Sequence, residues 1–306
     1  MAKIGIVGAG MVGSAVANAL ALRGVCDEIV LVDKDLEKAN AQAIDVAAAS
    51  FVNHGLKVTS GDFKKLKGAQ VVVLAPGMRQ RWGRNLKELL ENNLEVFREI
   101  VPLVIKQAPN AVLIVATQPV DTLTEFVYSV VAREHWSQVI GVGTALETLQ
   151  LRSAVADRIG VGAEHVHGYV IGQEGDAALV VWSDVTVANR PLREYVKSKD
   201  LPWNNATQLE INDLVRRSSL RAIDAKGATY YGIGAMIAKI CEAVLHDSKL
   251  LLTVSSHSSK HGVSLSLPRV IGATGIIETI EMTLSSEEQL KLDALVGALS
   301  DENLIA

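Results

Sequence analysis

The chain has 306 residues, a formal net charge of −4, and 49% hydrophobic residues. The weak negative charge argues against nucleic acid as a partner, and the apolar content suffices for one large domain or two modest ones. No apolar run reaches the roughly 18 residues that a membrane span needs, and the chain starts with a strand pattern rather than a signal peptide. The two cysteines, Cys26 and Cys241, fit no metal-ligand spacing. We therefore expect a cytoplasmic protein without a membrane partner.

The first part of the chain combines a strand, a glycine-rich turn, a helix and a second strand. The apolar run 3–7 leads into Gly8, Gly10 and Gly13, and a helical pattern of small residues follows. A second apolar run ends on Asp33, twenty residues after Gly13. The glycine spacing alone would be a weak signal. Together with the strands, the helix and the terminal acid in this order, it strongly indicates a dinucleotide-binding unit.

Each part of the pattern has a mechanical role in binding a dinucleotide. The first glycine allows a tight turn, the second lets a pyrophosphate approach the backbone, and the third lets helix and strand pack closely. N–H groups at the helix start, including those of Met11 and Val12, favour phosphate oxygens. Asp33 is placed to accept hydrogen bonds from a ribose diol, and its charge would repel a 2′-phosphate. The sequence therefore predicts NAD, in preference to NADP, as the cofactor.

Strand and helix patterns alternate from there to about residue 143. They comprise helix 35–50, strand 57–59, strand 71–75, helix 85–107, strand 111–116, helix 120–133 and strand 139–141. Such alternation predicts a parallel, doubly wound sheet that binds ligands at the carboxyl ends of its strands. We therefore assign residues 1–143 to an N-terminal Rossmann dinucleotide-binding domain.

The pattern changes after residue 143. It predicts helix 146–159, strands 166–171 and 178–182, helices 208–225 and 228–246, strands 250–254 and 263–270, and a final helix from Ser286. The expected fold class is α/β, with a mixed α+β substrate domain over residues 144–306.

Six motifs along the whole chain resemble the lactate/malate dehydrogenase family. They are GAGMVGSAVA with Asp33, TQPVDTLT at 117–124, GVGTALETLQLR at 141–152, HGYVIGQEGD at 167–176, KGATYYGIG at 226–234 and SLSLPRVIGATGI at 264–276. The bacterial lactate dehydrogenases are the most similar members. The resemblance implies hydride transfer between NAD and a small-molecule substrate, by a homodimer or homotetramer.

At the positions where this family carries its catalytic residues, the sequence differs. Glu174 stands at the position of the histidine that exchanges a proton with the substrate, and Glu147 at that of the aspartate paired with it. Gln150 stands at the position of the arginine that binds the substrate carboxylate, Leu86 at that of a loop arginine, and Gln118 at that of an asparagine. The resemblance thus implies a pocket without the carboxylate-binding arginines.

Other positions match the family. Gln80 corresponds to the residue that discriminates between lactate-type and malate-type substrates, and Thr229 lines the far side of that pocket. By the same resemblance, the cofactor is bound by Ala75, Gly77, Arg79 and Gln118 in addition to the glycine loop.

These observations leave three functional hypotheses. The leading one is an NAD-dependent oxidoreductase for an atypical, neutral or cationic alcohol, amine or carbonyl compound. Glu174 would serve as its proton acceptor and donor, with a pKa raised by Glu147. The alternatives are a catalytically silent NAD-binding protein with a structural or regulatory role, and a 2-hydroxy-acid dehydrogenase in which Arg81 or Arg84 binds the carboxylate.

Arg152 and His167 match positions that bind a sugar bisphosphate at the subunit interface of allosteric bacterial relatives. An interface ion site without regulation is the simpler interpretation of this pair.

Overall fold

The computed structural model describes residues 1–52, 55–78 and 86–301. Six parallel strands form its first half: β1 (Lys3–Val7), β2 (Glu28–Val32), β3 (Lys57–Ser60), β4 (Val71–Leu74), β5 (Val112–Val115) and β6 (Val139–Gly141). They lie in the order β3-β2-β1-β4-β5-β6, which is the order of a Rossmann fold.

Both faces of this parallel sheet are covered. The covering helices are α1 (Met11–Arg23), α2 (Leu36–Ser50), α3 (Leu86–Gln107) and α4 (Val120–Val130). Successive residues of β2 point to opposite sides: Ile29 and Leu31 belong to one apolar cluster, and Val30 and Val32 to the other. Burial on both faces explains why the strands are continuous apolar runs. The predicted doubly wound sheet is confirmed.

The second half continues the same sheet with antiparallel strands. Its elements are α5 (Ala145–Ile159), β7 (Val166–His167), β8 (Val170–Gly172), β9 (Ala178–Val180), β10 (Thr186–Val187), β11 (Arg190–Pro191), α6 (Leu192–Ser198), α7 (Asn205–Lys226), α8 (Tyr231–Leu245), β12 (Leu250–Ser258), β13 (Val263–Gly272), β14 (Gly275–Thr279) and α9 (Ser286–Asp301). Beyond β6 the sheet runs β12-β13-β8-β9, with β14 also paired to β13, while β11, β10 and β7 form a small separate sheet.

Several sequence predictions for this half need correction. The predicted strand 166–171 is two short strands, β7 and β8, which belong to different sheets. Strand β12 continues beyond residue 254 to Ser258. Its later residues include Ser255 and Ser256, which are buried. Their hydroxyl groups donate hydrogen bonds to Asp121 and to the carbonyl of Val139, respectively, and so are satisfied without water. Buried serines hide the apolar pattern from which a strand is predicted.

This topology brings the chain's polar groups to one edge of the sheet. The order of strands reverses between β1 and β4, so their carboxyl ends, at Gly8 and Ala75, open a crevice of the kind that binds ligands in α/β sheets. Helix α5 begins four residues after β6 and starts at the same edge. The domain boundary near residue 143 stays a prediction. Among the described helices, none has both the length and the apolar character of a membrane span.

Candidate active site

The glycine loop between β1 and α1 has room for a ligand at one position only. A Cβ on Gly8, whose φ is +99°, would lie 2.5 Å from the carbonyl oxygen of Ala75, and one on Gly13 would overlap the carbonyl oxygen of Gly8. A Cβ on Gly10 would meet nothing within 4 Å. Gly8 and Gly13 are thus required for packing, whereas Gly10 leaves open space in front of the backbone.

Helix α1 starts at this open space. Gly10 is its N-cap and supplies no side-chain hydrogen bond, and Met11 and Val12 in its first turn are half-buried. The first N–H groups of a helix need partners, and their positive dipole end favours an anion. The loop therefore fits the pyrophosphate of a dinucleotide.

Asp33 follows β2 and holds the loop from the other side. Its Oδ2 accepts a hydrogen bond from the N–H of Ala9 at 2.7 Å, and its Oδ1 accepts one from the N–H of Asp35 at 3.0 Å. Lys38 Nζ lies 3.9 Å from Oδ2. Each carboxylate oxygen keeps a further lone pair, so the residue fits the ribose diol predicted for it.

A buried asparagine that the sequence analysis missed organises the next part of the edge. Asn93 on α3 is fully buried; its Oδ1 accepts from the N–H of Met78 at 2.8 Å, and its Nδ2 donates to the carbonyl of Gln118 at 2.7 Å. Gly77, with φ +144°, faces the same amide, which a Cβ there would approach to 2.7 Å. Asn93 lies four residues from Leu89 and from Phe97, on the apolar stripe of α3. A polar residue on such a stripe was the signal available in the sequence.

Gln118, whose backbone is bound by Asn93, in turn binds Glu174 through its side chain. A cis peptide bond joins Gln118 to Pro119. The Gln118 amide Nε2 donates a short hydrogen bond to Oε2 of Glu174. Glu174 is half-buried. Burial raises the pKa of Glu174 well above its ordinary value, and the nearby carboxyls of Glu147 and Asp121 raise it further.

Glu147 lies in the first turn of α5 and is only 7% exposed. Burial raises its pKa to about 7, against the lowering effect of a hydrogen bond to its own backbone. Its Oε2 is buried, and no described residue forms a hydrogen bond with it. A buried polar atom without a partner is rare and costs free energy. The charge of Glu147 contributes to the raised pKa of Glu174, so the two carboxyls, predicted from the sequence to interact, lie near each other.

A third carboxyl, Asp121 on α4, completes this carboxyl cluster of Asp121, Glu147 and Glu174. Asp121 is 2% exposed, and Ser255 Oγ donates to its Oδ1 at 2.5 Å. Burial raises its pKa to about 7, although the Ser255 hydrogen bond and the Arg269 guanidinium oppose the shift. Arg269 is the only buried cation in the described part of the chain, and its donors go mainly to backbone carbonyls. The cluster is therefore acidic overall.

The remaining predicted pocket residues lie on α5 and just before α8. The Gln150 side chain is half-buried, and its Oε1 accepts a hydrogen bond from Ser218 Oγ of α7 at 3.0 Å. Thr229 is half-buried in the segment between α7 and α8. Gln150 is three positions after Glu147, so both project from the same side of α5.

Several residues named from the sequence lie outside the described part of the structure. They are Arg79, Gln80, Arg81 and Arg84; Leu86 begins α3, but its side chain is likewise outside the described residues. Their roles stay predictions.

Arg152 and His167, matched to an allosteric site, have contacts and exposure of their own. Arg152 Nε donates to the carbonyl of Gly168 at 3.1 Å, its guanidinium lies 5.3 Å from the ring centroid of Tyr169, and His167 is exposed. Binding of a sugar phosphate by this pair stays a prediction, as does the oligomeric state.

Comparisons with known proteins agree with this geometry. Residues 2–141 match the model of the lactate/malate dehydrogenase NAD-binding domain, and residues 144–303 match that of the family's alpha/beta C-terminal domain. The chain is 44% identical to an L-lactate dehydrogenase of Deinococcus radiodurans, over 97% of both chains. It is 41% identical to one of Thermus aquaticus, over 97% of this chain and 98% of that one.

A solved structure shows the same fold over nearly its whole length. The minor L-lactate dehydrogenase of Enterococcus mundtii superposes with a TM-score of 0.92 at 31% identity, covering 98% of this chain and 96% of that one. The chain therefore belongs to the lactate/malate dehydrogenase family, and its cofactor is NAD.

Proposed function

We propose that the protein is an NAD-dependent oxidoreductase that acts on a small neutral or cationic alcohol, amine or carbonyl compound, with Glu174 as proton acceptor and donor. The observation that carries this proposal is the hydrogen bond from Gln118 to Glu174. It holds a carboxyl group of raised pKa at the sheet edge beside the dinucleotide crevice.

The residues support a balanced reaction. Bound NAD supplies the hydride acceptor for oxidation and the hydride donor for reduction. In the oxidation of an alcohol, the Glu174 carboxylate would accept the hydroxyl proton as the carbinol carbon gives up its hydride. The alcohol would become a carbonyl compound and Glu174 would be left protonated. A carboxyl group with a raised pKa holds a proton more readily than an ordinary one, which suits the return of that proton in the reverse direction.

The charge of the described pocket disfavours a carboxylate substrate. Asp121, Glu147 and Glu174 are acids, and the position matched to a carboxylate-binding arginine holds Gln150. Arg269 is already engaged by backbone carbonyls. A 2-oxo acid would have to shed its hydration without a matching charge, which costs several kcal/mol. Neutral and cationic substrates avoid this cost.

A second candidate is a 2-hydroxy-acid dehydrogenase, and the relatives named L-lactate dehydrogenase favour it. It requires Arg81 or Arg84 to bind the substrate carboxylate in place of Gln150. Substitution of each arginine by glutamine would then raise the KM for a hydroxy acid. Under the leading proposal, neither substitution creates or removes activity on hydroxy acids.

The test begins with a screen of alcohols, amines and carbonyl compounds, in which turnover is monitored by the absorbance of NADH. Turnover of the best substrate should fall by about 10²–10⁴-fold in Glu174→Gln, the usual worth of a general acid–base group, with NADH affinity unchanged. Glu164→Gln removes an exposed carboxylate and should leave turnover unchanged. Equal turnover by Glu174→Gln would show that the proton goes elsewhere. No turnover on any compound, despite tight NADH binding, would favour a catalytically silent protein.

A further inference from the structure

One oxygen of Glu147 has no hydrogen-bond partner among the described residues. Glu147 Oε2 is buried, and nothing in the described ranges donates a hydrogen bond to it. The neighbouring buried acid, Asp121, differs because Ser255 donates to it and the Arg269 guanidinium lies nearby. A buried carboxylate oxygen without a donor is costly, even though Glu147 also has a hydrogen bond to its own backbone. A bound group with N–H donors and a positive charge would remove that cost.

The position of Glu147 on α5 determines where such a group would lie. Gln150 is three residues further along, so the two side chains are neighbours on one side of the helix. Gln150 Oε1 faces Ser218 and has a second lone pair. Together the two residues offer carboxylate and amide oxygens, which are acceptors. An ammonium group has three donors and no acceptor, so it complements this set.

We propose that the substrate carries a protonated amino group on the carbon next to the reacting carbon, and that Glu147 binds this group. The substrate class is then the 2-amino alcohols and the corresponding α-amino carbonyl compounds. This inference rests on the proposed function, because it places the ammonium group beside the hydroxyl or carbonyl group that exchanges its proton with Glu174. Glu147 becomes the residue that selects the charge of the substrate.

Three compounds with the same 2-hydroxypropyl skeleton isolate that selection. 1-Amino-2-propanol is cationic, 1,2-propanediol is neutral and lactate is anionic at pH 8. Titration of each into the enzyme–NADH complex by calorimetry measures binding without turnover, since NADH cannot oxidise an alcohol. We expect the cation to bind about 10–100-fold more tightly than the diol, the usual worth of a charge-assisted hydrogen bond. Lactate should bind more weakly than the diol.

Variants on the same helix assign the preference. In Glu147→Gln, the cation-to-diol affinity ratio should fall close to 1 while the affinity for the diol changes by less than about two-fold. Glu147→Asp, which keeps the charge, should show a ratio above that of Glu147→Gln. Asp157→Asn is a matched control, because it removes an exposed carboxylate from α5 about 15 Å further along the helix. Its ratio should equal that of the wild type.

Two results would overturn the inference: lactate binding more tightly than 1-amino-2-propanol, or a ratio that is the same in the wild type and in Glu147→Gln. Either would leave the role of Glu174 untouched. Failure of the proposed function would instead appear as equal turnover in the wild type and Glu174→Gln.

Discussion

The carboxylate of Asp33, beside the glycine loop, and that of Glu147, in the carboxyl cluster, differ in how many hydrogen-bond donors they receive. Asp33 receives backbone N–H donors on both oxygens, from Ala9 and Asp35. Glu147, buried near the same edge of the sheet, has an oxygen for which the described residues offer no donor. A carboxylate whose oxygens all receive donors is stable as an anion, whereas a buried oxygen without a donor favours a proton or a ligand. Among the described residues, donors therefore reach both oxygens of Asp33 but leave one oxygen of Glu147 unpaired.

Substitution of a glycine in the loop between β1 and α1 should have the largest effect, and this effect is on stability. In Gly13→Ala the new methyl group would overlap the carbonyl of Gly8 between helix and strand. We expect the free energy of unfolding to fall by about 3 kcal/mol or more, as for an overpacked core. Chemical denaturation without cofactor measures this.

Gly10→Ala is the matched control for that variant, because its methyl group meets no protein atom. Its stability without cofactor should stay within about 0.5 kcal/mol of the wild type, while its affinity for NADH falls. Similar destabilisation by both alanines would contradict the division of roles between the glycines.

The buried carboxyl of Glu147 should make the free energy of unfolding depend on pH. Burial raises the pKa of Glu147 from 4.5 to about 7, so the folded state holds its proton more tightly than the unfolded state does. The stabilisation is fully present below pH 4.5 and is lost as pH rises through about 7. Glu147→Gln should therefore reduce the loss of stability between pH 5 and pH 8, by about 1–3 kcal/mol.

Urea denaturation at several pH values provides the measurement. Asp157→Asn, an exposed acid on the same helix, should leave the slope unchanged. The burial of Glu147 would be wrong if both variants had the slope of the wild type.

Asp33 should give the smallest effect. Asp33→Asn keeps an oxygen for one backbone donor but removes the charge that repels a 2′-phosphate. We expect the preference for NADH over NADPH to fall by about ten-fold, as measured by protein fluorescence titration. Asp35→Asn, an N-cap whose replacement preserves capping, should keep the wild-type preference. An unchanged preference in Asp33→Asn would show that another residue excludes NADPH.

The same contrast explains what could be predicted from the sequence. The glycine loop and Asp33 lie within one continuous stretch, Lys3 to Asp33, so the motif was sufficient to predict them. The Rossmann sheet and NAD are confirmed. Whether a donor reaches Glu147 depends on how α4, α5 and the segment around Glu174 pack together. No local sequence pattern predicts that packing. The bond between Ser218 and Gln150 likewise joins residues far apart in the chain.

Asn93 shows a different limit of sequence analysis. Its place on the apolar stripe of α3 was visible, but its two partners, at Met78 and Gln118, follow two different strands. Only the assembled sheet edge shows that it positions Gln118, and through it Glu174.

The rate of pyruvate reduction by NADH tests the central claim most directly, namely that this pocket serves a proton transfer without binding a carboxylate. Loss of a buried ionic partner costs about 2–5 kcal/mol, so the wild type should turn over pyruvate at least about 30-fold more slowly than the usual ~10 s⁻¹ of enzymes. Saturating pyruvate and NADH at pH 7, followed at 340 nm, give this number. Turnover at ~10 s⁻¹ or faster would contradict the account and establish a 2-hydroxy-acid dehydrogenase.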